Sequence, residues 1–87
     1  MKIKSDFVMR EVAKSHVVVP TGKAALDFSG MMTLNETGAF LWRQLEVGKT
    51  ESELLAALLE DYDIDETTAQ ADIFEFLVKL KTADLFE

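Results

Sequence analysis

The first third of the chain alternates hydrophobic and polar positions with a period close to two, which is typical of β-strands. Phe7 and Met9 fall on one face of the first segment, and the second segment ends at Pro20, which lacks the N–H that a ladder needs. The pattern predicts strands over 7–12, 16–19 and 31–34, with a further hairpin arm over 26–28 that would make a fourth.

After residue 34 the hydrophobic period becomes helical, and each predicted helix has its own start signal. Asn35 is suited to cap the first helix, Thr50 and Glu53 form a T-x-x-E capping box, and Asp65 is an acidic N-cap. Gly48 is expected to end the first helix in a left-handed conformation. The predicted helices cover about 35–46, 50–62 and 65–83.

The third helix has more apolar surface than one core contact requires. At about 100° per residue, the residues along one arc of this helix are apolar, which predicts that this arc packs against the core. A second apolar zone, made by Ala71, Phe74 and Val78, lies outside that arc, so it should meet the sheet or stay open for a partner. The arc holds Ala69, Ile73, Phe76, Leu77 and Leu80; the second helix has a comparable predicted stripe of Leu54, Leu55, Leu58, Leu59 and Tyr62.

These elements predict one α+β domain over residues 1–87, with a winged-helix-like arrangement of a three-stranded antiparallel sheet followed by three helices. Its 48% hydrophobic residues can supply one core, and its 87 residues leave no room for a second domain. No apolar run approaches the roughly 18 residues that span a bilayer. Without a secretory signal pattern and with no cysteine, a cytoplasmic location away from membranes is expected.

The net charge of −7 disfavours binding to nucleic acids, whose phosphates are contacted by Lys and Arg. Residues 50–78 contain neither Lys nor Arg, so a DNA-recognition helix there would repel the duplex. The winged-helix arrangement keeps DNA binding as a minor alternative. A basic or neutral partner is favoured.

Few residues in this sequence suggest catalysis, a metal or a cofactor. His16 is the single histidine, so no Ser-His-Asp relay or His-rich metal site can be assembled around a second one. The acidic residues Asp61, Asp63, Asp65 and Glu66 lack the Gly and Glu positions of a calcium loop, so helix capping explains them better. Trp42 is expected in the core, whereas Phe40 is either covered by the N-terminal strands or exposed. We expect neither an enzyme nor a bound cofactor or metal.

Four segments of the chain resemble the PqqD family of precursor-peptide recognition elements. The segment from Leu34 to Trp42 reads LNETGAFLW and is followed by Gly48-Lys49-Thr50, by EDYDI at 60–64 and by FLVKL at 76–80. The similarity covers almost the whole chain. It implies a protein that binds the leader of a ribosomally made precursor peptide and delivers it to a tailoring enzyme, which is a radical SAM protein in the founding pathway.

The resemblance also implies where the leader binds. In the family, the leader adds an antiparallel strand to the last strand of the sheet and lies against the third helix. A free strand edge gives affinity through its backbone groups, and nearby pockets give specificity. Lys81 could pair with an acidic leader residue. The expected peptide-binding residues are Met31, Met32, Thr33, Leu34, Ala71, Phe74, Val78 and Lys81.

One further alternative remains open, an acidic docking or regulatory subunit that binds a protein partner without any leader peptide. In that case Phe40 would matter more than the third helix. A monomer is favoured, although the exposed strand edge could also pair with a second copy to give a dimer.

Overall fold

A computed structural model describes residues 1–22 and 32–87 of the chain, and it has the predicted α+β architecture. Within these residues no helix combines the length and hydrophobicity needed to cross a membrane. The sheet precedes the helices along the chain, which is consistent with a winged-helix-like arrangement. The strands are β1 (Phe7–Val12), β2 (Ser15–Pro20) and β3 (Met32–Leu34), and the helices are α1 (Glu36–Val47), α2 (Glu51–Asp61) and α3 (Glu66–Thr82).

The described strands form one antiparallel sheet in the order β1-β2-β3. A two-residue turn joins β1 to β2, and both of its residues, Ala13 and Lys14, have positive φ angles of 49° and 70°. Such φ angles belong to the turn that matches the twist of a hairpin. The predicted arm over 26–28 and Met31, which was expected to contact the peptide, lie outside the described residues.

The register of the sheet decides which backbone groups of β3 face outward. Val12 pairs with Ser15 across the turn, so this pair is hydrogen-bonded and the pairs alternate from there along the ladder. The β2 residues at even positions therefore turn their N–H and C=O groups towards β3. Thr33 stands opposite Val17, an odd position. Both backbone groups of Thr33 consequently point away from β2.

The three helices begin at the N-caps that the sequence predicts. The side chain of Asn35 accepts from the Gly38 N–H at 2.7 Å, and that of Asp65 accepts from the Thr68 N–H at 2.7 Å. Thr50 caps α2 through the predicted reciprocal capping box. Gly48 follows α1 with φ 89° and ψ 119°, so its φ lies in the predicted left-handed region, which glycine enters at little steric cost.

The core lies between the sheet and the inner faces of the helices. Trp42 is fully buried, as predicted, and so are all five residues of the predicted inner arc of α3. The predicted stripe of α2 is correct for Leu54 and Leu58 but wrong for Leu59, which is exposed. The apolar residues of α2 cover a wider arc than the part of the helix that packs on α3. Leu59 therefore falls outside the contact between the two helices.

The two ends of the chain meet in a contact that hydrophobic periodicity did not indicate. Ile3 forms an isolated antiparallel bridge with Phe86, and the Lys4 N–H donates to the Leu85 carbonyl at 2.9 Å. Ile3 and Leu85 are both buried. A salt bridge of 3.1 Å between Lys4 and Asp84 lies at the surface beside them.

Candidate functional site

A groove of about 530 Å³ runs between β3 and α3, and it is open to solvent along its length. One wall comes from the end of β3 and the start of α1, and the other comes from α3. The lining combines apolar residues, two hydroxyl groups and three charged side chains. These residues are Thr33, Leu34, Asn35, Thr37, Gly38, Leu41, Asp72, Glu75, Phe76, Val78 and Lys79.

Gly38 forms part of the groove floor at a point where no side chain fits easily. A Cβ atom at this position would lie 3.1 Å from Asn35 Oδ1, 3.4 Å from Leu34 Cβ and 3.5 Å from the Phe76 ring. The first of these distances is tighter than ordinary van der Waals contact. The glycine therefore lets the start of α1 approach both its own cap and α3. The LNETG segment thus shapes the floor of the groove as well as starting the helix.

The outward edge of β3 is contacted by a side chain from α3. Lys79 Nζ donates a hydrogen bond of 3.1 Å to the Thr33 carbonyl, which is one of the two groups that point away from β2. A flexible ammonium at the surface is a replaceable donor, because the net gain from such a bond is about 0.5–1.5 kcal/mol. Within the described residues, β3 has a strand neighbour on one side only.

Both signs of charge line the α3 wall of the groove. Asp72 and Glu75 contribute carboxylates, and Lys79 contributes an ammonium. Val78 lies between these charged positions and is 46% exposed. An extended peptide in the groove would thus meet an apolar floor at Leu41 and a charged rim on α3.

A second, smaller cleft of about 370 Å³ lies between α2 and α3, on the other flank of α3. Phe74 borders this cleft and is 68% exposed, although it is a large aromatic residue. Ile73 and Leu55 form its apolar base. Glu51, Ser52 and Gln70 complete the lining.

The structure divides the residues predicted for peptide binding among several places. Thr33, Leu34 and Val78 line the groove. Met32 is half-buried against the core, and Met31 lies outside the described residues. Phe74 borders the cleft between α2 and α3, whereas Ala71 and Lys81 are exposed elsewhere on α3.

Several groove residues did not emerge from the sequence as candidates. Asp72, Glu75 and Lys79 are charged positions that the hydrophobic pattern does not single out, and Phe76 belongs to the arc that is expected in the core. Gly38 and Thr37 lie inside the LNETG segment, which was the signal that could have singled them out.

Phe40 and His16 border a third concavity, at the end of the sheet next to α1. The Phe40 ring packs edge-on against Tyr62, with centroids 5.4 Å apart and planes at 81°. Phe40 is half-buried, and Tyr62, the residue that follows α2, provides part of its cover. The Nδ1 atom of His16 is buried without a hydrogen-bond partner among the described residues.

Among the described residues no three His, Cys, Asp or Glu side chains are grouped closely enough to hold a metal ion. Asp65 instead caps α3, and its hydrogen bond from the Thr68 backbone N–H holds the pKa of its carboxyl below the usual value. Glu53 has a lowered pKa for the same kind of reason, since its carboxylate accepts from the Thr50 N–H.

The model of one protein family, Coenzyme PQQ synthesis protein D (PqqD), matches residues 15–85. This match covers most of the chain, including β2, β3 and all three helices. The chain belongs to the PqqD family. The resemblance seen in the LNETGAFLW segment is thereby confirmed, while no curated protein matches the chain.

Two solved structures are similar to this PqqD-family chain over nearly its whole length. "TbiB1 in Complex with the TbiA(beta) Leader Peptide" has a TM-score of 0.77 and 26% sequence identity, covering 100% of this chain and 95% of that one. "Lasso peptide synthetase B1 complexed with the leader peptide" has a TM-score of 0.71 and 20% identity, covering 93% and 89% of the two chains. The second similarity establishes the shared fold.

Proposed function

We propose that this PqqD-family protein is a non-catalytic adaptor that binds the leader of a ribosomally synthesised precursor peptide. The leader adds to the outer edge of β3 as an antiparallel strand and occupies the groove against α3. The adaptor then presents the peptide to a modifying enzyme. Family membership supports this proposal, as does the similarity to two proteins whose structures were solved with leader peptides.

The outward backbone groups of Thr33 carry the proposal. Strand addition needs an unpaired N–H and C=O at a sheet edge together with adjacent pockets for alternate side chains. The register of the sheet turns both backbone groups of Thr33 outward, and the Lys79 ammonium on its carbonyl can give way to a leader N–H or share the oxygen with it. The groove beside it provides apolar surface from Leu41, Phe76 and Val78.

The register of the sheet also gives the direction of the bound peptide and the spacing of the side chains that face the groove. An antiparallel leader strand would place its earlier residues near Leu34 and its later residues near Met32. Because side chains alternate along a strand, every second leader residue would face the groove. Apolar residues at those positions would contact Phe76 and Val78, and a basic residue could approach Asp72 or Glu75.

The proposal assigns the chemistry to the partner and not to this chain. By analogy with the founding pathway of the family, that partner is a radical SAM protein. We further propose that the adaptor binds no cofactor, acts in the cytoplasm and is a monomer. A net charge of −7 supports the monomer, since two copies would repel each other.

A titration of the protein with the synthetic leader of its precursor peptide tests the proposal. Replacing Thr33 with Pro removes the outward N–H while leaving the pairs with β2, since proline is tolerated on the free side of an edge strand. We expect Thr33→Pro to weaken leader binding by about tenfold or more, which corresponds to about 1.4 kcal/mol.

Thr33→Val is the matched control, since it keeps the backbone N–H and a β-branched side chain. Circular dichroism of both variants checks that the fold persists. If Thr33→Pro stays folded and binds the leader as tightly as the wild type, strand addition at β3 is wrong.

A further inference from the structure

The outer surface of α2 and α3 carries exposed apolar side chains that the leader groove does not use. Phe74 is 68% exposed, and Leu55 is half-buried beside it in the cleft between the two helices. A soluble domain seldom leaves such residues together unless they bind a partner. Phe74 alone offers an aromatic ring of the kind that dominates protein interfaces.

The charge around this cleft is mainly negative, although Lys49 and the N-terminal ammonium lie near Glu53 at its α2 end. Residues 50–78 contain nine Asp or Glu residues and no Lys or Arg. Glu51 lies in the cleft lining itself. A second copy of the chain would bring equal negative charge against this surface, whereas a partner rich in Lys and Arg would be attracted to it.

The cleft also lies next to the groove without overlapping it. Phe74 and Val78 are four residues apart on α3 and therefore neighbours on its surface. Phe74 borders the cleft towards α2, and Val78 borders the groove towards β3. One helix thus separates two concave surfaces, so two different partners can bind at the same time.

We propose that the cleft between α2 and α3, with Phe74 at its edge, docks the modifying enzyme through a basic surface that surrounds an apolar side chain. The apolar side chain enters the cleft against Phe74, Leu55 and Ile73. Lys or Arg residues around it face the acidic side chains of the two helices. This inference rests on the proposed function for the identity of the partner, and it assigns leader and enzyme to opposite flanks of α3.

Two variants and two matched controls test this docking surface. Phe74→Asp removes the aromatic ring, and Val47→Asp makes the same change at an apolar residue that is 73% exposed at the end of α1. Gln70→Lys adds one positive charge to the cleft lining, and Glu46→Gln changes the net charge equally on α1. Circular dichroism confirms that each variant is folded.

Calorimetric titrations of each variant use two purified probes, the synthetic leader and the modifying enzyme that acts on its precursor peptide. We expect Phe74→Asp to weaken enzyme binding by about tenfold and Gln70→Lys by about threefold, with leader binding unchanged for both. Raising the salt concentration should weaken enzyme binding more for the wild type than for Gln70→Lys.

Three results would overturn the docking surface. They are unchanged enzyme affinity in a folded Phe74→Asp variant, an equal loss with Val47→Asp, and the absence of wild-type binding to the enzyme. If Phe74→Asp instead weakens leader binding, Phe74 belongs to the leader site, as the sequence predicts, and the docking surface is wrong. In every case the Thr33→Pro titration still tests strand addition separately.

Discussion

Lys79 Nζ donates a hydrogen bond of 3.1 Å to the carbonyl of Thr33, and so joins α3 to the outer edge of β3. This bond gives the Thr33 carbonyl a hydrogen-bond donor when no leader strand is bound. It also covers an edge that could pair with a second copy, a protective role that lysine serves on other sheet edges. A leader N–H and Lys79 would compete for this carbonyl.

Replacing Lys79 with Met should therefore strengthen leader binding. The variant keeps the aliphatic stem and removes the competing donor, whose net contribution is about 0.5–1.5 kcal/mol. We expect a dissociation constant about two- to tenfold lower, measured by calorimetric titration with the synthetic leader. A tenfold loss of affinity would contradict this and would make Lys79 a direct leader contact.

Lys81→Met provides the comparison for that measurement, because it removes the same charge two residues further along α3. Two residues correspond to about 200° around a helix, so Lys81 faces away from the direction of Lys79. We expect the leader affinity to stay unchanged. Weaker binding would instead support the sequence-based prediction that Lys81 pairs with an acidic leader residue.

Val78 tests the apolar wall of the groove. It is 46% exposed, so Val78→Asp should leave the fold intact while adding a charge that leader side chains must desolvate. We expect about tenfold weaker leader binding, and no effect from Val47→Asp, its counterpart outside the groove. Equal affinities of Val78→Asp and wild type for the leader would exclude this wall from the site.

The N-cap of α3 predicts a specific dependence of stability on pH. Because the folded-state pKa of Asp65 is lowered by the Thr68 backbone N–H, its ionised form stabilises the fold at neutral pH. That contribution is lost as the pH falls from the unfolded-state pKa through the lowered folded-state value.

Asp65→Asn should remove this part of the loss of stability at acidic pH. Asparagine caps helices about as well as aspartate, so the free energy of unfolding at pH 7 should change little. Urea unfolding at a series of pH values measures both effects. If the free energy of unfolding falls as steeply with decreasing pH in the variant as in the wild type, the assignment to Asp65 is wrong.

The sequence predicted local features well because neighbouring residues determine them. The N-caps at Asn35, Thr50 and Asp65 each depend on a side chain and a backbone N–H three residues apart. The period of buried residues similarly identified the inner face of α3. The strand that ends at Leu34 followed from alternation and from the helix start after it.

Contacts between elements that lie far apart in the sequence could not be predicted from local patterns. Periodicity gives the positions around α3, but it does not say which flank faces β3 and which faces α2. For this reason Phe74 and Val78 were grouped together, although they border different cavities. The contact of Lys79 with Thr33 and the bridge between Ile3 and Phe86 depend on tertiary packing that no local pattern encodes.

Amide hydrogen exchange followed by NMR, with and without the synthetic leader, tests strand addition most directly. In the free protein the Thr33 amide should exchange quickly, since it points away from β2, whereas the Leu34 amide pairs with β2 and should already be protected. Adding the leader should slow exchange at Thr33 and leave Leu34 nearly unchanged. Continued fast exchange at Thr33 in the complex, or new protection at Met9 and Glu11 on the outer edge of β1, would contradict the account.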